Sequence, residues 1–257
     1  MEWLNSSAYS LFRTFIPDIR RLPISRVLSQ KDLLAHHFQL YSEDGLEIYY
    51  APVGYVRRDA KIVLIGVTPG WSQMEMAYRM TRELLERYQD PSRILSEIKR
   101  RIAFAGSMRK NLLKMLNELR LPQYLNVETS EVIFEEKTNL IHTTSALRYP
   151  IFYRGNNYTG HAPKILSREI HRMMIEKLLG QELRQVPTAL IIPLGNAASR
   201  AVEHLVECGI VDQKRCLFGF PHPSGANAHR VKEFTERRIG LRRKFRKWFE
   251  QNSQPNE

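Results

Sequence analysis

The sequence predicts an α/β layered fold around a mostly parallel sheet. Three observations point there. Short apolar runs of strand length, Ile62 to Val67 and Ala189 to Leu194, alternate with helical patterns. Gly and Pro punctuate their boundaries. And 43% hydrophobic residues in 257 are enough for one sizeable core, which excludes a disordered chain or a disulfide-stapled mini-protein.

The elements follow in order. The first 43 residues form a lead-in without an assignable role, with short helices around Tyr9–Phe15 and Lys31–Gln39 broken by Pro17 and Pro23. Leu46–Val53 and Ala60–Val67 read as strands, the second fully buried. Met74–Tyr88, Pro91–Phe104 and Met108–Leu119 place apolar residues at three- and four-residue spacing and read as helices, with Asp90 as a cap and Pro91 at a first helical position. Thr138–Ser145 reads as a strand, followed by a turn- and amide-rich loop over Tyr149–Gly160. A helix over Pro163–Leu179 stops at Gly180. Then come strand Thr188–Leu194, helix Asn196–Cys208 ended by Gly209, strand Arg215–Phe220, a basic helix and the polar tail Gln251–Glu257. No repeat divides the chain, so a single domain with its core over 44–250 is expected.

Composition narrows the function classes. Two cysteines, Cys208 and Cys216, without Cys-x-x-Cys spacing argue against a thiolate metal site, an iron–sulfur cluster or a disulfide framework. No apolar run approaches the roughly 20 residues of a membrane helix, and the amino terminus lacks a signal-peptide pattern. The expectation is a soluble cytoplasmic monomer. Its net charge of +12 implies a polyanionic partner.

Most of that charge has one address. Between Arg230 and Lys247 nine Lys/Arg stand against Glu233 and Glu236. Such a helix is either a solvated face or a surface that displaces counterions from a phosphate backbone; a membrane surface or a calmodulin-like partner is the other use of the same pattern.

Two loops at strand ends carry the chemistry, since α/β sheets gather ligands at the carboxyl ends of their strands. The first is Gly66-Val67-Thr68-Pro69-Gly70. Ser72 with Glu75 has capping-box spacing after it and Trp71 with Met76 suits a hydrophobic staple, so the loop delivers N–H groups to a helix start able to hold an anion or a water. Glu75 itself reads as a cap. The second is Phe220-Pro221-His222-Pro223-Ser224-Gly225-Ala226-Asn227, where two prolines fix the backbone around His222. His142, His161, His171, His204 and the pair His36-His37 read as structural. His222 and His229 lack partners at metal-ligand spacing, so neither a metal nor a cofactor is expected.

Together the loops resemble the paired signature of the uracil-DNA glycosylase superfamily. The resemblance runs in order through Gly66–Gly70, Thr144-Ser145-Ala146-Leu147-Arg148-Tyr149-Pro150, Leu190-Ile191-Ile192-Pro193-Leu194-Gly195-Asn196-Ala197 and His222-Pro223-Ser224-Gly225, over residues 44 to 250. A Rossmann-like nucleotide site on Gly66 and Gly70 fits less well, because the full glycine fingerprint and its acidic partner are missing. The resemblance implies a three-layer α/β/α sandwich and metal-free hydrolysis of a base–sugar bond after base flipping. It assigns His222 as the donor at the pyrimidine O2 of the leaving base and Thr68 as the holder of the water. Gly66, Val67, Pro69, Gly70, Ser145, Tyr78, Asn156 and Asn157 form the expected base pocket. Ser224, Gly225, Ala226, Asn227, His229, Arg230, Arg242, Arg243 and Lys244 form the expected DNA contact.

Three departures bear on substrate. Thr68 stands where many relatives carry Asp or Asn, and a hydroxyl holds a water without acting as a base at neutral pH. Ser145 aligns with an Asn that reads uracil. Ala226 replaces a Leu wedge, which leaves that job to His229, Arg230 or an easily unpaired substrate. With the amide-rich Tyr153–Tyr158 segment, these departures point to a cytosine bearing a bulky 5-substituent, such as glucosylated hydroxymethylcytosine of phage DNA, and to antiviral defence. A uracil or deaminated-base repair enzyme and a silent DNA-binding relative are the alternatives.

Overall fold

A computed structural model of the chain describes residues 1–24, 27–104, 106–225 and 227–252. In chain order it contains α1 (Ala8–Arg21), α2 (Gln30–Leu33), β1 (Gln39–Glu43), β2 (Leu46–Tyr49), β3 (Ile62–Gly66), α3 (Trp71–Leu85), α4 (Pro91–Ile102), α5 (Ser107–Glu118), α6 (Leu121–Leu125), α7 (Val132–Glu135), β4 (Ile141–Ser145), β5 (Ile151–Tyr153), β6 (Asn156–Asn157), α8 (Glu169–Met174), α9 (Gly180–Arg184), β7 (Leu190–Pro193), α10 (Asn196–Glu207) and α11 (Arg230–Asn252). The α/β class therefore holds. Among the described residues no helix is long and apolar enough to cross a membrane.

The chain divides into two compact units. One comprises Met1–Val56, Val67–Ala103 and Ser145–Gln181; the other comprises Arg57–Gly66, Phe104–Thr144 and Glu182–Glu257.

The first unit is built on an antiparallel sheet of order β1-β2-β5-β6, of which the sequence pattern reveals only the strand at β2. Its two tight turns have both central residues at positive φ: Asp44 and Gly45 between β1 and β2, Arg154 and Gly155 between β5 and β6. Such turns match the right-handed twist of the strands they join. The segment expected as a loop over Tyr149–Gly160 is thus largely a hairpin. The lead-in belongs to this unit's core. Ser7 caps α1 through the Ser10 N–H at 3.0 Å, and α1 runs through Pro17 instead of breaking there. Pro17 is exposed while Leu11, Phe12, Phe15 and Ile19 are buried, so packing of the opposite face outweighs the lost backbone bond. Phe15 stacks on Tyr50 at 4.1 Å and Phe38 meets Tyr78 at 4.8 Å. Residues 161–168 form turns rather than the expected start of a helix. The helix begins at Glu169, passes through a π-helical stretch, Ile175–Leu179, and continues through Gly180. Gly180 keeps helical dihedrals, so a glycine in this context costs some stability without ending the helix.

The second unit holds a sheet of order β4-β3-β7 whose β3–β7 pair is parallel, Ile62 opposite Leu190 through Ile65 opposite Pro193. All residues of β3 and β7 are buried, which explains their unbroken apolar runs. The expected strand Arg215–Phe220 is reduced to two parallel bridges, Ile191 with Cys216 and Leu194 with Phe220. Gly219, at φ +97°, turns the chain out between them. Helix α10 packs on β7. Helix α11 buries Phe234, Leu241, Phe245 and Phe249, and Phe249 stacks on Tyr124 of α6 at 4.9 Å.

Candidate active-site loops

In the second unit, β7 runs through Leu194 and Gly195 into α10. Gly195 has a φ of +83° and donates its N–H to the Phe220 carbonyl at 2.8 Å. A β-carbon on Gly195 would stand 2.8 Å from the His222 Cβ, so only glycine lets the His222 backbone lie this close. The His222 Nδ1 accepts the Ser224 N–H at 3.3 Å. In a neutral imidazole that bond assigns the ring proton to Nε2, which makes Nε2 the donor.

Side chains brace the loop through its carbonyls. Asn227 donates to the His222 oxygen at 3.3 Å, Asn111 of α5 to the Pro223 oxygen at 2.9 Å, and Arg230 to the Ser224 oxygen at 2.7 Å. Three of the expected DNA contacts are thus also engaged within the chain. Asn227 is turned inward, its Oδ1 taking the His229 N–H and its Nδ2 also reaching Glu233. Arg230 spends a guanidinium nitrogen on the loop backbone. Arg242 donates to the Glu118 carbonyl beside an Arg238–Glu118 ion pair of 2.9 Å. Ser224 is half-buried, while Gly225 and His229 are exposed. Ala226 lies outside the described residues. The cations that α11 leaves outward are Lys232, Arg237, Arg243, Lys244, Arg246 and Lys247, with Ile239 at 73% exposure among them.

In the first unit, the segment after Gly66 is tied down residue by residue. The Val67 carbonyl accepts the Leu147 N–H at 2.9 Å, and the Thr68 hydroxyl donates to the Tyr149 carbonyl at 2.8 Å. These bonds join the first loop to the middle segment Ser145–Tyr149. Thr68 keeps its oxygen lone pairs, which suits accepting a hydrogen bond from a water. Pro69 is buried; Val67, Thr68, Gly70 and Ser145 are half-buried.

The start of α3 differs from the sequence expectation. Gly70 is the N-cap, its N–H donates to Gln73 Oε1 at 3.2 Å, and the Trp71 N–H donates to Asn157 Oδ1 at 2.9 Å. The two leading donors are therefore satisfied by side chains, which leaves fewer N–H groups for an anion at this helix start than the sequence pattern suggests. Gln73 also reaches the Ile102 carbonyl at 3.0 Å. Glu75 is not a cap: its Oε1 takes the Leu28 N–H at 3.3 Å and Arg79 at 3.1 Å.

The remaining expected pocket residues are placed as follows. Asn157 is exposed, with its acceptor engaged on α3. Asn156 donates to the Arg154 carbonyl at 3.1 Å. Tyr78 is a core residue with 0% exposure, its hydroxyl donating to the Tyr50 carbonyl at 2.8 Å. Gly66 ends β3 with the Phe104 ring 3.3 Å from where its β-carbon would be.

Two of the histidines read as structural, His142 and His171, lie in the core. His142 is buried against Glu182 at 2.6 Å. His171 is buried with Nδ1 on the Ile165 carbonyl, and burial, helped by the charge of Arg168, pushes it down to about 4 against the opposing Ile165 bond. Sequence reasoning gives Gly195 no role of its own and misses Asn111 and Gln73. A glycine between a buried strand and a helix was a signal for the first. Nothing local marked Asn111, whose partner is 112 residues away.

A ring N–H fixed by a proline-bounded loop is suited to a leaving group that departs as an anion. The family model described as the uracil DNA glycosylase superfamily matches residues 53–249. The chain belongs to this superfamily. It is similar to the uncharacterized protein YoxB of Bacillus subtilis (strain 168), with 38% identity over 239 residues, covering 92% of this chain and 93% of YoxB. No solved structure matches the chain.

Proposed function

We propose that the chain is a monofunctional DNA glycosylase that hydrolyses the N-glycosidic bond of a flipped, modified pyrimidine and leaves an abasic site. The observation that carries this reading is the Ser224 N–H on His222 Nδ1, which puts the ring proton on Nε2, the atom that donates to the base. As the bond between the sugar C1′ and the base N1 lengthens, positive charge grows on the sugar and negative charge at the base O2. Nε2–H stabilises the latter. Water adds to C1′, and the base leaves with one of the water's protons. The Thr68 hydroxyl oxygen, with its own proton committed to Tyr149, suits accepting a hydrogen bond from a water.

The base proposed is a cytosine with a bulky 5-substituent, such as glucosylated hydroxymethylcytosine of phage DNA, in an antiviral role. Its support is the short Ser145 side chain at the end of β4. Donation to O2 serves uracil equally, so base choice is decided by assay. The outward cations of α11 are proposed to hold the DNA backbone.

The test is an abasic-site assay on oligonucleotides carrying uracil, hypoxanthine or 5-hydroxymethylcytosine, and on glucosylated phage DNA. Alkali-labile sites only in the cytosine-modified DNA are expected. Cleavage of uracil alone moves the chain to base repair. Gel shifts without cleavage of any substrate make it a silent binder.

A further inference from the structure

The Pro223 carbonyl and the Ser224 N–H belong to one peptide group. Asn111 donates to its oxygen at 2.9 Å, and its N–H donates to His222 Nδ1 at 3.3 Å. We infer that Asn111 is a positioning residue for the reaction, setting the tautomer of His222 through this single amide. The inference rests on the proposed role of His222 as donor.

A hydrogen bond at a carbonyl draws electron density toward the oxygen and makes the N–H of the same amide a better donor. Each bond in such a chain is strengthened by roughly 10–30%. The better donor at Nδ1 favours the ring with its proton on Nε2, the form that can donate to a leaving base. Pro223 adds to the effect, because its fixed φ removes one of the two torsions that orient the amide between its partners. The other braces act elsewhere. Arg230 donates to the Ser224 carbonyl, which belongs to the next amide along, and Asn227 donates to the His222 carbonyl, which belongs to the one before. Neither shares a peptide group with the N–H on Nδ1. Asn111 comes from α5, so a residue far away in sequence sets the proton on the catalytic ring.

The test uses the full chain with ¹⁵N-labelled histidine, the His222 ring signals being assigned by their loss in His222→Gln. The native ring is expected to show a protonated Nε2 and a bare Nδ1 at pH 7.5. Asn111→Leu and Asn111→Asp keep approximate size and remove the donor. In both, the two nitrogen shifts are expected to converge as the tautomers mix, with turnover falling roughly tenfold and KM within about twofold. Asn111→Ser, whose hydroxyl is too short to span the gap, serves where either variant unfolds, and the Ser224 amide shift is read alongside. Arg230→Gln is expected to keep the tautomer. Unchanged ring shifts in the folded Asn111 variants overturn the inference, as does an equal shift in Arg230→Gln, which would make any loosening of the loop sufficient. If His222→Ala retains full turnover, the role of His222 as donor fails. The ring spectra still decide whether Asn111 sets its proton.

Discussion

Gly195 and His222 touch at a distance that only a glycine at 195 allows: a β-carbon there would lie 2.8 Å from the His222 Cβ and 3.4 Å from its Cδ2. The turn from β7 into α10 thereby becomes the backstop of the imidazole. Gly195→Ala is expected to cost about 1–3 kcal/mol through the positive φ alone. The displaced ring is expected to lower turnover by up to roughly a hundredfold. Denaturant midpoints and single-turnover excision rates check both, and native turnover in the variant would free the ring from its backstop.

His222→Ala is expected to reduce excision by on the order of a hundredfold or more, with DNA affinity by gel shift held within about twofold. A parallel fall in affinity would instead make the loop a DNA-binding element.

Thr68→Val keeps the shape of the side chain and removes the oxygen that accepts from water. Turnover is expected to fall roughly tenfold at unchanged KM, since a misplaced nucleophile costs rate and not binding. An unaffected rate would place the water elsewhere.

Arginines on α11 are expected to separate by role. Arg243→Gln with Lys244→Gln should weaken DNA binding across sequences and reduce the slope of log affinity against log salt by about 0.9 for each phosphate that is no longer neutralised. Arg242→Gln should leave that slope alone and lower stability by about 1 kcal/mol, because its guanidinium holds the Glu118 carbonyl. Titrations at several salt concentrations, paired with melting curves, distinguish the two.

His171 makes the fold acid-sensitive. Its ring is held near 4 in the folded chain against 6.5 in an unfolded one. Below pH 6.5 the unfolded chain takes up a proton that the folded chain refuses. Stability is therefore complete above that pH and falls as pH drops toward 4, by about 2 kcal/mol at pH 5. His171→Gln should lose less stability between pH 7 and pH 5 than the native chain does. Parallel pH profiles would remove His171 as the cause.

The parallel sheet was legible because β3 and β7 are buried on both faces and so read as apolar runs. Asp90 and Pro91 marked the start of α4 for an equally local reason, the aspartate taking the Ser92 and Arg93 N–H groups. The antiparallel sheet was legible only in part. Asp44-Gly45 is a strong hairpin signal, yet β1 before it shows no clean alternation, and β6 is two residues long. At the loops, the positions of His222 and Thr68 could be read from motif order, whereas what holds them could not. Asn157 on Trp71, Asn111 on Pro223 and Tyr149 on Thr68 are long-range pairs. Their meaning exists only once the chain has closed. Glu75 departs from its capping pattern for the same reason, its carboxylate having a partner 47 residues away in the Leu28 N–H.

Helix α11 has 23 residues. At 1.5 Å per residue it is roughly 35 Å long, close to the pitch of a B-form duplex at about 34 Å. Laid along a groove, Lys232 near one end and Lys247 near the other would meet phosphates about two-thirds of a helical turn apart. Nuclease footprints should then extend well past the excised nucleotide on the side where α11 lies, giving a one-sided protection whose length is set by a helix and whose origin is set by a histidine.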